Sequence, residues 1–335
     1  MVKVAINGFG RIGRSALKIL LERRDVQVVA INDPGSVSAL AHLLQHDSTY
    51  GLYDKKVSCT DHSLIINSRE IPVTAELDPE KLPWRKYGVD VVLECTGRFL
   101  KTEDVKKHFK AGAKRVVISA PAKDDAIKTV VLGVNEEIVE HTDRILSNAS
   151  CTTNCIAPVM KVLEETFGVD KAMMSTVHSF TASQRILDAP AKDLRESRTA
   201  SANIIPTTTG ASKAAALTIP SLKGRFTGLS IRVPTPVVSL ADITAILKRD
   251  VTKEELVKTF EKASKEPYYE GILGVTKEEL VSTDFIGDPH SCIVDLPLID
   301  VVGGNMVKVV AWYDNEWGYS NRLVELAVDF GKAVA

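Results

Sequence analysis

Cysteine is scarce in this 335-residue chain, which has only Cys59, Cys95, Cys151, Cys155 and Cys292. An odd, widely spaced set makes no disulfide framework and points to free thiols in a reducing compartment. Excess charge of either sign is missing. Lys and Arg total 42 against 43 Asp and Glu, a formal net charge of −1, whereas a polyanion binder carries a basic excess or stripe. Long apolar runs are also missing: stretches such as Val91-Val92-Leu93 fall far short of the roughly 18 residues of a membrane span. Met1-Val2-Lys3-Val4-Ala5-Ile6 runs directly into a strand pattern, with no basic, apolar and cleavage segments in series, so no secretory signal is visible. These absences predict a cytoplasmic protein with neither nucleic acid nor membrane as partner. What is present, 44% hydrophobic and 25% charged residues, is ordinary folded composition. The length suits about two domains of roughly 150 residues.

The first 150 residues alternate between strand and helix patterns. Apolar runs at Val2–Asn7, Val26–Asn32, Val89–Cys95, Arg115–Ser119, Val130–Val134 and Arg144–Ser147 read as strands. Helical patterns at Ser15–Glu22 and Thr102–Ala111 lie between them. Strands that are apolar on nearly every residue and alternate with helices indicate a parallel sheet covered on both faces. Within Val57–Val73, the stretch Ser63–Ile71 reads instead as an antiparallel hairpin inserted into that scheme. The second half has longer strand candidates at Gly228–Val233, Ser239–Leu247 and Lys308–Tyr313, and a helix from about Lys253 to Lys265 opened by Thr252-x-x-Glu255, a capping-box pattern. The predicted fold class is α/β: a Rossmann-like parallel-sheet domain over 1–150 and an α+β domain with a mostly antiparallel sheet over 151–315. A C-terminal helix over about 316–335 returns to the first domain.

Gly8-Phe9-Gly10-Arg11-Ile12-Gly13 directly follows the first strand and opens the first helix. Glycines there allow a tight turn and close backbone approach to a pyrophosphate at a helix N-terminus. Asp33 closes the second strand, about 20–25 residues on, where an acidic side chain accepts hydrogen bonds from a ribose diol. It would repel a 2′-phosphate, which favours NAD over NADP.

A candidate nucleophile lies in Ser147-Asn148-Ala149-Ser150-Cys151-Thr152-Thr153-Asn154-Cys155, between a strand and the helical pattern Ile156–Phe167. Cys151 falls at the helix N-terminus, where the dipole and free N–H groups favour a thiolate. Against an ordinary thiol pKa of about 8.5, a fall of about two units would make the thiolate the major form at neutral pH. Cys155 stands one turn further in and reads as a buried small hydrophobe. No matching Cys/His pair accompanies the two, so no metal site is expected. His178 ends the strand pattern Met173–Ser179 and is the candidate base, although the pairing is spatial. The remaining histidines read as solvated or satisfied imidazoles. Thr207-Thr208-Thr209-Gly210, the residues Ser150 and Thr152, and the lone cation Arg232 are suited to phosphate.

Four segments together resemble the phosphorylating glyceraldehyde-3-phosphate dehydrogenase family: Ile6–Arg14, Ser147–Cys155, Ile204–Gly210 and Trp312–Ser320. The resemblance implies oxidation of glyceraldehyde 3-phosphate in glycolysis and gluconeogenesis, with NAD as cofactor, by a homotetramer. It implies that Cys151 attacks the aldehyde and His178 acts as base. Inorganic phosphate then attacks the resulting thioester. Ser150, Thr152, Thr209 and Gly210 would surround that phosphate, and Thr181 and Arg232 would hold the phosphate of the substrate. The cofactor would meet Asn7, Gly8, Gly10, Arg11, Ile12, Gly13, Asp33, Thr96, Ser119 and Asn315.

Some positions depart from the family's pattern. Arg195-Glu196-Ser197-Arg198 has an acid where relatives often continue a basic run, and Leu77 stands where they often place Arg. Pro34 and Ala189 replace leucines of many NAD-specific relatives, which leaves room near the adenosine ribose and implies some NADP tolerance. The alternatives are erythrose-4-phosphate dehydrogenase, a semialdehyde dehydrogenase, and a binding protein that has lost catalysis.

Overall fold

A computed structural model of the chain describes residues 1–332. It divides into two compact units. The first comprises Met1–Val130, Glu137–Ala149 and the chain from Ser320 on; the second comprises Val131–Glu136 and Ser150–Tyr319.

The first unit is built on a nine-stranded sheet. Its strands are β1 (Val2–Asn7), β2 (Val26–Asn32), β3 (Val57–Cys59), β4 (Ser63–Ile66), β5 (Arg69–Thr74), β6 (Val91–Glu94), β7 (Arg115–Ile118), β8 (Lys128–Thr129) and β9 (Ile145–Ser147), in the order β8-β9-β7-β6-β1-β2-β5-β4-β3. All pairings from β8 to β5 are parallel. The inserted hairpin β4–β5, extended by β3, is antiparallel and joins the sheet through β5. The central strands are apolar throughout because both faces are covered: Val4, Ala5, Ile6, Val91, Val92 and Leu93 are wholly buried. Helix α1 (Arg11–Glu22) contributes Leu17 and Leu20 to this core. Helices α2 (Val37–Gln45) and α3 (Thr102–Ala111) follow β2 and β6.

The strand expected at Val130–Val134 does not form. The only strand there is β8, which ends at Thr129. Asn135 Oδ1 accepts from Val131 N, and the amides of Val134 and Asn135 donate back to Val131 O. The chain turns through Gly133 at φ +78°, a conformation that glycine adopts without strain. Val130, Val131 and Val134 are apolar because they are buried, not because they extend a strand. Residues 131–136 group with the second unit.

The second unit opens on α4 (Cys151–Phe167) and carries an eight-stranded mixed sheet. Its strands are β10 (Val169–Ser179), β11 (Ile205–Thr208), β12 (Phe226–Val233), β13 (Ser239–Leu247), β14 (Leu273–Thr276), β15 (Cys292–Asp295), β16 (Asp300–Val302) and β17 (Met306–Tyr313). The order is β11-β12-β10-β13-β17-β15-β14, with β16 on β17. Most pairings are antiparallel; β10 with β12 and β14 with β15 are parallel. Helix α5 (Ala211–Thr218) packs on α4. Helix α6 (Lys253–Ala263) is capped by Thr252, whose hydroxyl accepts from Glu255 N. Helix α7 runs over Trp317–Lys332, and the rest of the helix expected to 335 lies outside the described residues. In the first unit, Arg115 donates to Phe330 O and stacks on its ring. Among the described residues no helix is long and apolar enough to cross a membrane.

Candidate functional site

In the first unit β1 ends at Asn7 and the chain turns sharply at Gly8, φ +94°. A Cβ at Gly8 would lie 2.8 Å from Cys95 C and Thr96 N, so the turn seats directly against the end of β6. A Cβ at Gly13 would strike the Gly8 carbonyl oxygen, which fixes how closely α1 approaches the turn. Gly10, the N-cap of α1, has no side-chain cap and faces open space. The first-turn N–H groups of a helix uncapped in this way are anion donors.

Asp33 follows β2 directly, one residue past the strand end. Its Oδ2 accepts from Phe9 N and its Oδ1 from Gly35 N, both at 2.8 Å. The carboxylate is thereby tied to the glycine turn, with lone pairs remaining for two hydroxyls. A cavity of about 270 Å³ is lined by Asn7, Gly8, Gly10, Asp33 and Thr96 of the expected set. Asn32, Pro34, Glu76, Leu77, Arg98 and Phe99 line it as well; nothing in the glycine pattern points to Arg98 or Phe99. A glycine cradle, an uncapped helix start and a fixed carboxylate fit a dinucleotide. Arg11, Ile12, Gly13, Ser119 and Asn315 do not line this cavity. The Arg11 guanidinium pairs with Asp47 at 2.5 Å. Ser119 N donates to Glu94 O just past β7. In the second unit Asn315 Oδ1 accepts from Ser179 and Ser239 hydroxyls, each at 3.0 Å.

Also in the second unit, Cys151 is the first residue of the 17-residue helix α4. Ser150 is its N-cap, accepting from Thr153 N at 3.0 Å. Ala149, immediately before, has φ +55°, an uncommon conformation for a residue with a side chain. His178 lies near the end of β10, with Nε2 3.5 Å from Cys151 Sγ. Its Nδ1 lies 2.7 Å from Ser179 O. A carbonyl only accepts, so Nδ1 carries the proton and the Nε2 lone pair faces the thiol. Tyr313 braces the pair: its hydroxyl bonds Thr152 Oγ1 and Thr176 Oγ1, each at 2.9 Å, and its ring stands edge-on to His178. The Thr152 hydroxyl is therefore engaged inside the protein.

Arg232 stands beside His178 across the β10–β12 pairing. Its guanidinium reaches Ser179 O at 3.4 Å, while Nε is buried with no partner among the described residues. Burial and then Arg232 lower His178 to about 3, so the imidazole is a neutral acceptor at physiological pH. Burial raises the Cys151 thiol, against opposing pulls from Arg232 and the nearby Thr152 donors. Loss of solvation thus pulls against the helix terminus at this thiol. Either charge is costly alone. Proton transfer from Sγ to Nε2 creates both together, each offsetting the other's field. Cys155 is wholly buried and its thiol is raised further.

Thr209 and Gly210 start α5: Gly210 is its N-cap and Thr209 Oγ1 accepts from Ala211 N. The Thr181 hydroxyl contacts Ser183 and Gln184. Glu196, the acidic departure, accepts from Thr207 Oγ1 at 3.1 Å. A concavity of about 960 Å³ lies elsewhere on the sheet around Met173, Leu217, Phe226 and Ile246. None of the nucleophile, base or cation lines it. Among the described residues no group of three or more His, Cys, Asp or Glu could hold a metal ion.

Two family models match the chain. One, described as glyceraldehyde 3-phosphate dehydrogenase, NAD binding domain, covers residues 2–102. The other, the C-terminal domain of the same enzyme, covers 150–315. Curated proteins named glyceraldehyde-3-phosphate dehydrogenase are similar over their whole length. That of Zymomonas mobilis is 52% identical over 335 residues, with 99% of each chain covered. That of Geobacillus stearothermophilus is 53% identical over 327 residues, 97% of each. That of Streptomyces coelicolor is 50% identical over 332 residues, 98% of each.

Proposed function

Because the chain belongs to the glyceraldehyde-3-phosphate dehydrogenase family, we propose that it oxidises glyceraldehyde 3-phosphate with NAD and inorganic phosphate to 1,3-bisphosphoglycerate. The observation that carries the mechanism is the Cys151–His178 pair, 3.5 Å apart with the basic nitrogen facing sulfur. The Sγ proton passes to Nε2 as sulfur bonds the aldehyde carbon, and returns to the carbonyl oxygen to give a thiohemiacetal. His178 then takes that hydroxyl proton as the carbon becomes a thioester. NAD, when bound, supplies the acceptor for the hydride released in this oxidation. A phosphate oxygen attacks the thioester carbon, the C–S bond breaks and the acyl phosphate leaves; His178 returns its proton to the Cys151 sulfur and the proton of the phosphate passes to solvent, which restores the starting thiol and neutral imidazole.

Arg232 is proposed to hold the substrate phosphate together with Thr181. Ser150, Thr152, Thr209 and Gly210 are proposed to surround the attacking phosphate, the N-cap Gly210 offering backbone donors at the start of α5. In steady-state kinetics, Arg232→Ala should raise KM for the sugar phosphate by roughly 10–100-fold, since a hydrogen bond to a charged group contributes about 1.5–3 kcal/mol. Thr209→Ala should act on the phosphate dependence instead. Equal effects of both variants on both ligands would merge the two sites.

For the cofactor, Asp33 is proposed to accept hydrogen bonds from the ribose diol and so to repel a 2′-phosphate. Partly desolvated like charges cost several kcal/mol, and about 1.4 kcal/mol already gives tenfold discrimination. NAD should therefore exceed NADP by at least about tenfold in kcat/KM, with Ala189 limiting the margin. Asp33→Ala should narrow the ratio; an unchanged ratio would place discrimination elsewhere.

We further propose a cytoplasmic homotetramer. Met173 and Val177 of β10, Leu229 of β12 and Leu217 of α5 are exposed, and a contiguous exposed apolar patch marks an interaction surface. Assays with glyceraldehyde 3-phosphate and erythrose 4-phosphate, each with and without inorganic phosphate, test the whole reading. Faster phosphate-independent turnover of the four-carbon sugar would reassign the enzyme to its erythrose-4-phosphate relative.

A further inference from the structure

The first unit contains a buried carboxylate to which the reaction gives no role. Glu94, at the end of β6, is wholly buried. Four donors surround it: Asn7 Nδ2 at 2.6 Å and His108 Nε2 at 3.1 Å on Oε2, with Thr96 N at 2.9 Å and the Thr96 hydroxyl on Oε1. Beyond His108 stands Trp84, whose Nε1 lies 3.0 Å from His108 Nδ1; both side chains are wholly buried. An indole N–H only donates. Nδ1 must therefore be the bare nitrogen, which places the histidine proton on Nε2, pointing at Glu94.

The direction of every bond further along then follows. Glu94 only accepts, so Asn7 turns its amide NH₂ toward it and its Oδ1 away. That oxygen accepts from Asn32 Nδ2 at 2.7 Å. Asn32 Oδ1 in turn accepts from Glu76 N and Thr74 Oγ1, each at 2.9 Å. Glu94, Asn7, Asn32 and Thr74 are register neighbours on β6, β1, β2 and β5. They form one polar rung across the carboxyl ends of four parallel strands. Asn7, Asn32, Glu76 and Thr96 on this rung all line the dinucleotide cavity. The Trp84 N–H at one end and the Glu76 N–H at the other demand the same amide orientations.

We propose that Glu94, keyed by the His108 tautomer that Trp84 imposes, is a positioning residue for the cofactor: it fixes the Asn7 amide and the Thr96 backbone that floor the NAD cavity. The proposal rests on reading that cavity as the NAD site. Glu94→Gln keeps shape and adds a donor. Whichever way its amide lies, the NH₂ faces either the Thr96 N–H or the donors of Asn7 and His108, so the side chain must lose its hold on the Thr96 backbone or on the Asn7 amide.

Calorimetry with NAD, run on wild type and on folded Glu94→Gln, tests this. Wild type that binds no NAD would defeat the reading of the cavity. If wild type binds, Glu94→Gln should bind roughly tenfold more weakly or worse, with KM for NAD rising in step and kcat falling less. Binding within twofold of wild type would overturn the proposal. A second measurement needs no variant. In wild type labelled with ¹⁵N-histidine, His108 should show the Nε2–H tautomer, and its nitrogen shifts should move on saturation with NAD although it is wholly buried. An Nδ1–H tautomer, or shifts that stay still, would overturn the proposal even if Glu94→Gln failed to fold.

Discussion

Replacing Cys151 by serine should lower aldehyde oxidation by roughly 10⁴-fold or more, the scale on which loss of a covalent nucleophile falls, while NAD affinity stays within about twofold. An alcohol gives up its proton far less readily than a thiol, and His178, held at about 3 by burial and Arg232, is too weak a base to compensate. The cradle of Gly8, Gly10 and Asp33 lies in the other compact unit, so cofactor binding should persist. Cys155→Ser should keep most activity, because Cys155 is wholly buried and its thiol is strongly raised. Labelling with iodoacetamide checks the assignment independently: Cys155 reacting faster than Cys151 would reverse it.

Replacing His178 by asparagine should cost roughly 10²–10⁴-fold, the range for losing a general base, and should change the pH profile. The folded-state value of His178 is lowered, so its proton is lost well below neutrality and the base is ready throughout pH 6–8. With thiol and neutral imidazole acting together, kcat/KM should vary little across that window. Without His178 the reaction must wait for a thiolate formed unaided. Burial holds the Cys151 thiol above its ordinary range, so the variant's rate should climb about tenfold per pH unit over the same window. Alkylation of Cys151 at neutral pH should slow in parallel. Wild-type turnover in the variant across pH 6–9 would remove His178 from the mechanism.

The parts written in local pattern were legible in the sequence. The runs Val2–Asn7, Val26–Asn32 and Ser239–Leu247 are strands with those bounds, and Thr102–Ala111 is a helix with those bounds. Period and apolar continuity depend only on neighbours along the chain. Val130–Val134 misled because burial makes a turn as apolar as a strand. The Cys151 thiol shows a related limit: a helix start is visible in sequence, whereas the desolvation that pulls against it is three-dimensional. His108 read as an ordinary satisfied imidazole. It is satisfied, but its partners Glu94 and Trp84 lie 14 and 24 residues away, and only strand register shows that they continue into Asn7 and Asn32. The side chains of Arg11 and Thr152 illustrate the same limit. Their motif positions were legible, yet Asp47 and Tyr313 engage them.

The most direct test of the account is to mix the enzyme with glyceraldehyde 3-phosphate and NAD without inorganic phosphate, then digest it and weigh its peptides. About one NADH per subunit should form in a burst, with a phosphoglyceryl group on the peptide bearing Cys151. Adding phosphate should remove that group and release acyl phosphate in equal amount. NADH formed with no covalent group on Cys151, or a group that phosphate does not discharge, would contradict the mechanism.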